Sequence, residues 1–232
     1  MADAGERYQS GSYLDANPSW HVEDSPWKAR HILRMIRRNR IDPQTIAEVG
    51  CGAGEILVQL SRSLRKSIFV GYEISPQAFE ICKPRETDRI HFLKEDLLDV
   101  DSQFDLVLTI YVFEHVDDYL GFLRRLRSKG NWHLFHIPLD LSAQSVARGA
   151  PLLGNRRRYG HLHYFSYETA IATLEDAGYE VLDSTYTHTA VDLAARSTVQ
   201  RIARLPRAIG AAISPAWTAR LLGGFSLLVL AR

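Results

Sequence analysis

Three glycines spaced Gly-x-Gly-x-Gly, at Gly50, Gly52 and Gly54, constrain this chain more than any other feature. They join an apolar run, Thr45–Val49, to a helical pattern, Glu55–Leu64. Glycine reaches backbone conformations closed to other residues, so the chain can turn sharply and pass close to a ligand. The free N–H groups of the helix that follows can then meet ligand oxygens. A tight turn with no ligand is the plainer alternative, but a glycine bend set between strand and helix favours a binding site.

The same alternation continues along the chain. Short apolar runs at Ser67–Tyr72, Ile90–Leu93, Phe104–Tyr111 and Trp132–Ile137 read as strands, as do Tyr179–Tyr186 and Phe225–Ala231. Helical patterns fall between them at 76–82, Asp117–Arg127 and 167–178, and an earlier basic helix covers Trp27–Arg40. Strands that are apolar throughout, alternating with helices, predict an α/β fold with a doubly wound, mostly parallel sheet covered on both faces. In such sheets ligands bind beyond the carboxyl ends of the strands, where the strand order reverses.

A length of 232 residues fits one α/β domain with modest additions. Residues 1–40 read as an N-terminal arm and helix able to act as a lid, and 41–232 as the main domain, with inserts near 140–165 and 190–222. A formal net charge of +1 gives no reason to expect nucleic acid as a partner. That total is unevenly spread. From Leu193 onward there are six arginines and no acid, and subtracting those six charges from +1 leaves −5 on residues 1–192. Two cysteines without metal spacing, a polar start and no span of membrane length make a cytoplasmic protein the expectation.

Residues with chemistry cluster after the strands. Glu73 follows the second strand, 19 residues beyond Gly54, where a carboxylate can accept both hydroxyls of an adenosine ribose. Glu95-Asp96-Leu97 follows the third, where an acid can accept an adenine amino group. Tyr111-Val112-Phe113-Glu114-His115-Val116 follows the fourth and supplies apolar walls, an acid and an imidazole. A nicotinamide dinucleotide would fit the glycines and Glu73 equally well, but its pyrophosphate would meet Glu48 and Glu55 flanking the bend. A ligand carrying a sulfonium and an ammonium suits that acidic rim better.

These residues resemble the class I S-adenosylmethionine-dependent methyltransferase superfamily, in its small-molecule branch with Glu-His-Val after the fourth strand. Glu48–Glu55, Glu73, Asp96-Leu97 and Phe113–Val116 carry the resemblance, firmly over residues 41–140. It implies a Rossmann-like seven-stranded sheet of order 3-2-1-4-5-7-6 with an antiparallel last strand. It also implies S-adenosyl-L-methionine as cofactor, held by Glu48, Gly50, Cys51, Gly52, Gly54, Glu73, Ile74, Asp96, Leu97, Tyr111 and Phe113. The implied activity is methyl transfer to oxygen or nitrogen of a small acceptor. A cofactor-binding but catalytically silent partner subunit and an NAD-dependent oxidoreductase are the alternatives.

Methyl transfer asks the protein to position the acceptor and remove its proton. His115, His136, His161 and His163 are the candidate bases. Their spacing matches no recognisable metal site, and none is expected. Arg148 and the run Arg156-Arg157-Arg158 motivate an anionic acceptor. Tyr13, Trp20 and Trp27 are the residues a closing arm would use. Residues 197–222 carry Val199, Ile202, Leu205, Ile209 and Ile213 with interleaved arginines, and Pro206 divides them into two short helices. Peripheral membrane contact, a dimer contact, a wall of the acceptor pocket or simple packing on the sheet between the last two strands each fit that segment.

Overall fold

The computed structural model describes Tyr8, Gly11, Tyr13, Leu14, residues 17–193 and residues 198–232. Most of residues 1–16 of the expected arm, together with Arg196 and the side chain of Val199, lie outside the described residues. Seven strands form one sheet: β1 (Thr45–Val49), β2 (Ile68–Tyr72), β3 (Ile90–Leu93), β4 (Phe104–Ile110), β5 (Gly130–Leu139), β6 (Val181–Thr187) and β7 (Phe225–Ala231). Their order is β3-β2-β1-β4-β5-β7-β6, and β7 runs antiparallel to both β5 and β6. This is the expected order and direction. The reversal point lies between β1 and β4, which pair in parallel from Ile46 with Leu106 to Val49 with Thr109.

The covering helices are α1 (Ser25–Arg38), α2 (Glu55–Ser61), α3 (Pro76–Cys82), α4 (Tyr119–Leu126), α5 (Ala143–Arg148), α6 (Ala150–Arg158) and α7 (Tyr167–Asp176). After a single turn at Thr189–Asp192 come α8 (Thr198–Ile213) and α9 (Pro215–Leu222). Short polar side chains start several of them by accepting a first-turn N–H: Ser75 from Ala78, Asp118 from Gly121 and Ser166 from Thr169. On one face of the sheet Ile32, Ile36, Leu57, Leu60 and Phe69 form a closed apolar layer. On the other, Phe113, Leu123, Phe135, Leu174 and Tyr179 do the same. Burying each such side chain is worth about 1.5–3 kcal/mol, which fixes the sheet and so the positions of its loops.

Two expectations about helices change. The irregular stretch after β5 is helical, and Gly149, at φ +64°, separates α5 from α6. Pro206 does not divide the tail: α8 runs through it, and the break comes at Ser214, which caps α9. A proline removes one helical hydrogen bond, here to the Ile202 carbonyl. Ile202 is 72% exposed, so water can take the place of the missing donor.

Candidate active site

A cleft of about 510 Å³ opens at the carboxyl ends of β1 to β4. Gly50, Glu73, Ile74, Asp96, Leu97, Tyr111 and His115 line it, all expected there from the sequence. Glu73 builds the cofactor end. One of its oxygens accepts the Gly52 N–H at 2.8 Å and the other accepts the Ser75 N–H at 2.8 Å. The carboxylate thus ties the glycine bend to the start of α3. Burial raises its pKa, while those N–H donors pull the other way. Asp96 accepts the Leu98 N–H at 2.9 Å with one oxygen, which fixes the loop after β3.

The bend itself is made possible by glycine. Gly54 has φ +73°, and a Cβ there would come within 2.4 Å of the Phe92 ring. Gly52 has φ +55°, and its Cα faces the indole of Trp20, whose Cδ1 would lie 2.6 Å from an added Cβ. Trp20 belongs to an aromatic cap. Its ring lies 4.8 Å from that of Tyr13, Tyr13 lies 5.0 Å from Tyr8, and Tyr8 lies 5.8 Å from His115. The arm is held by the insert: Asn17 donates to the Arg158 carbonyl and the Tyr8 hydroxyl to the Tyr159 carbonyl.

Several expected residues stand elsewhere. Cys51 and Phe113 are buried in the two apolar layers, and Glu48 is buried beneath the bend. Burial pushes the Glu48 carboxyl up to about 8, with the charge of Lys28 opposing, so it is largely neutral near pH 7. Glu55 pairs with Arg85 at 3.3 Å. The two acids on which the electrostatic reading rested are therefore not the ones that charge the rim. Glu73, Glu95, Asp96, Asp117 and Asp118 line the cleft instead, with Arg125 as the one lining cation among the described residues. Short loops after three different strands bring these acids together, and no spacing along the chain announces it.

The histidines also divide. His136 is buried between Trp27 and Tyr111, with Nε2 2.8 Å from the Thr187 hydroxyl, and burial holds its pKa well below the usual value. The His163 Nε2 lies 2.9 Å from the Val116 carbonyl, and the ring packs tilted against Tyr119 at 4.3 Å. Neither lines the cleft. His115 does, and behind it stands His161, whose Nδ1 lies 2.5 Å from the Asp140 carboxylate. Burial works against protonation of His161, but that hydrogen bond and the charge of Glu114 outweigh it and raise its pKa. Glu114 is fully buried, and burial raises its carboxyl to about 7. Arg148 and Arg156–Arg158 are exposed on α5 and α6 and do not line the cleft, which removes the basis for an anionic acceptor.

Residues 23–184 match the family model of a methyltransferase domain. The chain belongs to that family, and it is an enzyme of the methyltransferase class. No curated protein matches it. Among solved structures it resembles the magnesium protoporphyrin IX methyltransferase of Synechocystis PCC 6803 with bound S-adenosylhomocysteine. That match has 12% identity, 89% of this chain and 81% of that one covered, and a TM-score of 0.59. It also resembles the N-methyltransferase NodS of Bradyrhizobium japonicum WM9 in complex with S-adenosylhomocysteine, at 16% identity, 93% and 92% coverage and a TM-score of 0.58. The cyclopropane synthase MmaA2 of Mycobacterium tuberculosis is a third, at 17% identity, 82% and 78% coverage and a TM-score of 0.57. At these identities the likeness shows the fold.

Proposed function

We propose that this chain transfers the methyl group of S-adenosylmethionine to an oxygen or nitrogen atom of a small-molecule acceptor. The observation that carries this reading is one cleft lined by the glycine bend, by five carboxylates and by His115. The cofactor's positive sulfonium and ammonium suit five lining carboxylates, whereas a dinucleotide's pyrophosphate would be repelled by them. Two structural relatives were crystallised with S-adenosylhomocysteine, which supports the same cofactor here.

Glu73 would hold the ribose, Asp96 and Leu97 the adenine, and Gly50 and Gly52 the methionine end. The bound cofactor supplies a methyl carbon on a positively charged sulfur. With it bound, an acceptor lone pair would form the new bond to that carbon as the carbon–sulfur bond broke, leaving the electron pair on sulfur. The acceptor's proton is lost at the cluster of His115, Glu114, His161 and Asp140, of which His115 faces the cleft. Tyr8, Tyr13 and Trp20 of the arm 1–40 would serve as a cap over the site of a domain spanning 41–232, with the insert near 140–165 holding it through Tyr8 and Asn17.

Calorimetry with S-adenosylhomocysteine and NAD, followed by product formation over an acceptor library, tests this. Binding of the first and not the second is expected, with methylated product from at least one acceptor. Preference for NAD would leave the oxidoreductase, and binding without any product would leave a silent partner subunit. In His115→Ala, kcat is expected to fall about 10²–10⁴-fold with cofactor affinity unchanged.

The tail adds a peripheral contact with anionic membranes to the proposal. No helix among the described residues is long and apolar enough to cross a membrane. Half of the exposed large hydrophobic side chains described lie between Ile202 and Leu221. Ile202, Leu205, Ile209 and Ile213 share one face of α8, flanked by exposed Arg201 and Arg204 and by no acid. An apolar row edged with positive charge suits a lipid interface. A two-fold dimer through the same face would set arginines against arginines.

A further inference from the structure

Glu114 presents a problem that the methyl-transfer reading leaves unsolved. It is fully buried, and among the described residues no other residue donates a hydrogen bond to either of its carboxylate oxygens. Buried carboxylates need such donors, a counter-ion or a metal. Around it stand His115, with Nε2 3.8 Å from a Glu114 oxygen, and His161. One donor atom from each of the three falls within 4.8 Å of the others.

We infer that Glu114, His115 and His161 form a binding site for a first-row divalent cation whose open side faces the acceptor. Two imidazoles and one carboxylate are a donor set that first-row metals accept with positions to spare. Bonds of about 2.0–2.2 Å require only a small closing movement of the three side chains. Asp140 strengthens the case. It engages Nδ1 of His161 at 2.5 Å, which leaves Nε2 as the donor atom, the arrangement by which an outer carboxylate orients a metal-binding histidine. The charge also fits: a bound cation would keep Glu114 ionised, and Asp140 adds a second negative charge through His161. Because His115 lines the cleft, a cation here would select acceptors that present a hydroxyl oxygen as ligand, and in the loaded protein it would lower that hydroxyl's pKa in place of His115 acting as base. The ligands come from the loop after β4 and the loop before α7, so they are far apart in sequence, which is why spacing did not reveal them.

This rests on the acceptor entering beside His115. The test strips the full-length protein with a chelator and titrates it with Zn²⁺ and with Co²⁺, following heat and the visible Co²⁺ absorption. One equivalent per chain is expected. Affinity should fall at least about 100-fold in Glu114→Gln and His161→Ala and stay unchanged in His163→Gln. In Asp140→Asn it should fall about 10–100-fold with the stoichiometry kept. If the Glu114 and His161 variants fail to fold, the Co²⁺ spectrum of the wild-type chain decides by showing histidine ligation. Absence of saturable binding, or binding indifferent to these substitutions, overturns the inference. S-adenosylhomocysteine affinity measured on the same samples separates the two readings. Intact cofactor binding without metal leaves methyl transfer standing, and metal binding without cofactor affinity sinks methyl transfer alone.

Discussion

The indole of Trp20 rests on the α-carbon of Gly52, close enough that a Cβ there would fall 2.6 Å from Cδ1. The glycine bend is thereby capped by a residue from the N-terminal arm. A ligand that reaches the bend must share space with this ring or move it. Addition of S-adenosylhomocysteine is expected to shift tryptophan emission, and the shift should vanish in Trp20→Phe, in which Trp27, Trp132 and Trp217 remain. An unchanged difference spectrum in that variant would show that the arm does not move.

Gly52→Ala tests the same contact from the other side. Its φ of +55° lies in the left-handed region, and the added methyl group would strike the indole. Cofactor affinity is expected to fall at least about tenfold, equivalent to about 1.4 kcal/mol. Isothermal titration with S-adenosylhomocysteine would measure it.

Glu73 ties the bend to α3 through two backbone N–H groups. In Glu73→Ala both buried donors lose their acceptor, at about 1–3 kcal/mol each. The melting temperature should therefore drop by several degrees along with cofactor affinity. A variant that loses affinity at unchanged melting temperature would assign Glu73 to the ligand alone.

Glu48 makes stability depend on pH. Burial raises its pKa from the ordinary 4.5 to about 8, so the folded chain keeps a proton that the unfolded chain releases. Its contribution is present below about pH 4.5 and is lost as the pH rises toward 8. His136 and His133 act oppositely. Their lowered pKa values, about 4 for His133, weaken the fold as the pH falls below 6.5. In Glu48→Gln the loss of melting temperature between pH 6 and pH 9 should be smaller than in the wild-type chain, by about 2–4 °C per kcal/mol. Parallel pH profiles would count against a buried neutral Glu48.

For the tail, flotation with phosphatidylserine vesicles is expected to carry the protein, weakly with neutral vesicles and less at high salt. Replacement of Ile202, Ile209 and Ile213 by Ser should abolish it. Equal flotation of the variant would leave α8 as a surface helix without that role.

Phe225–Ala231 was legible because burial on both faces leaves a continuous apolar run; Thr45–Val49 and the edge strand Ile90–Leu93, buried on one face, also match to the residue. β5 runs past the expected end at Ile137 through Pro138, which lies one pair from the strand end, opposite Ser226. Gly50, Glu73 and Asp96 could be placed because a strand end and a turn residue mark them locally. The sorting of the four histidines could not. Their periodicity is alike, and only the crossing of the segment before α7 beside Glu114, where Leu162 and His163 donate to its carbonyl, decides which face the cleft. The acidic rim escaped for the same reason: its members are neighbours in space only.

β7 lies inside the sheet, between β5 and β6, although it follows both in the chain. During synthesis on the ribosome β6 emerges with no edge to join, and the one-strand gap between β5 and β6 stays open until residue 231 has been made. The apolar edge of β5 must wait exposed for that interval, which makes this half of the sheet the region where a chaperone or a misplaced neighbouring strand would first take hold.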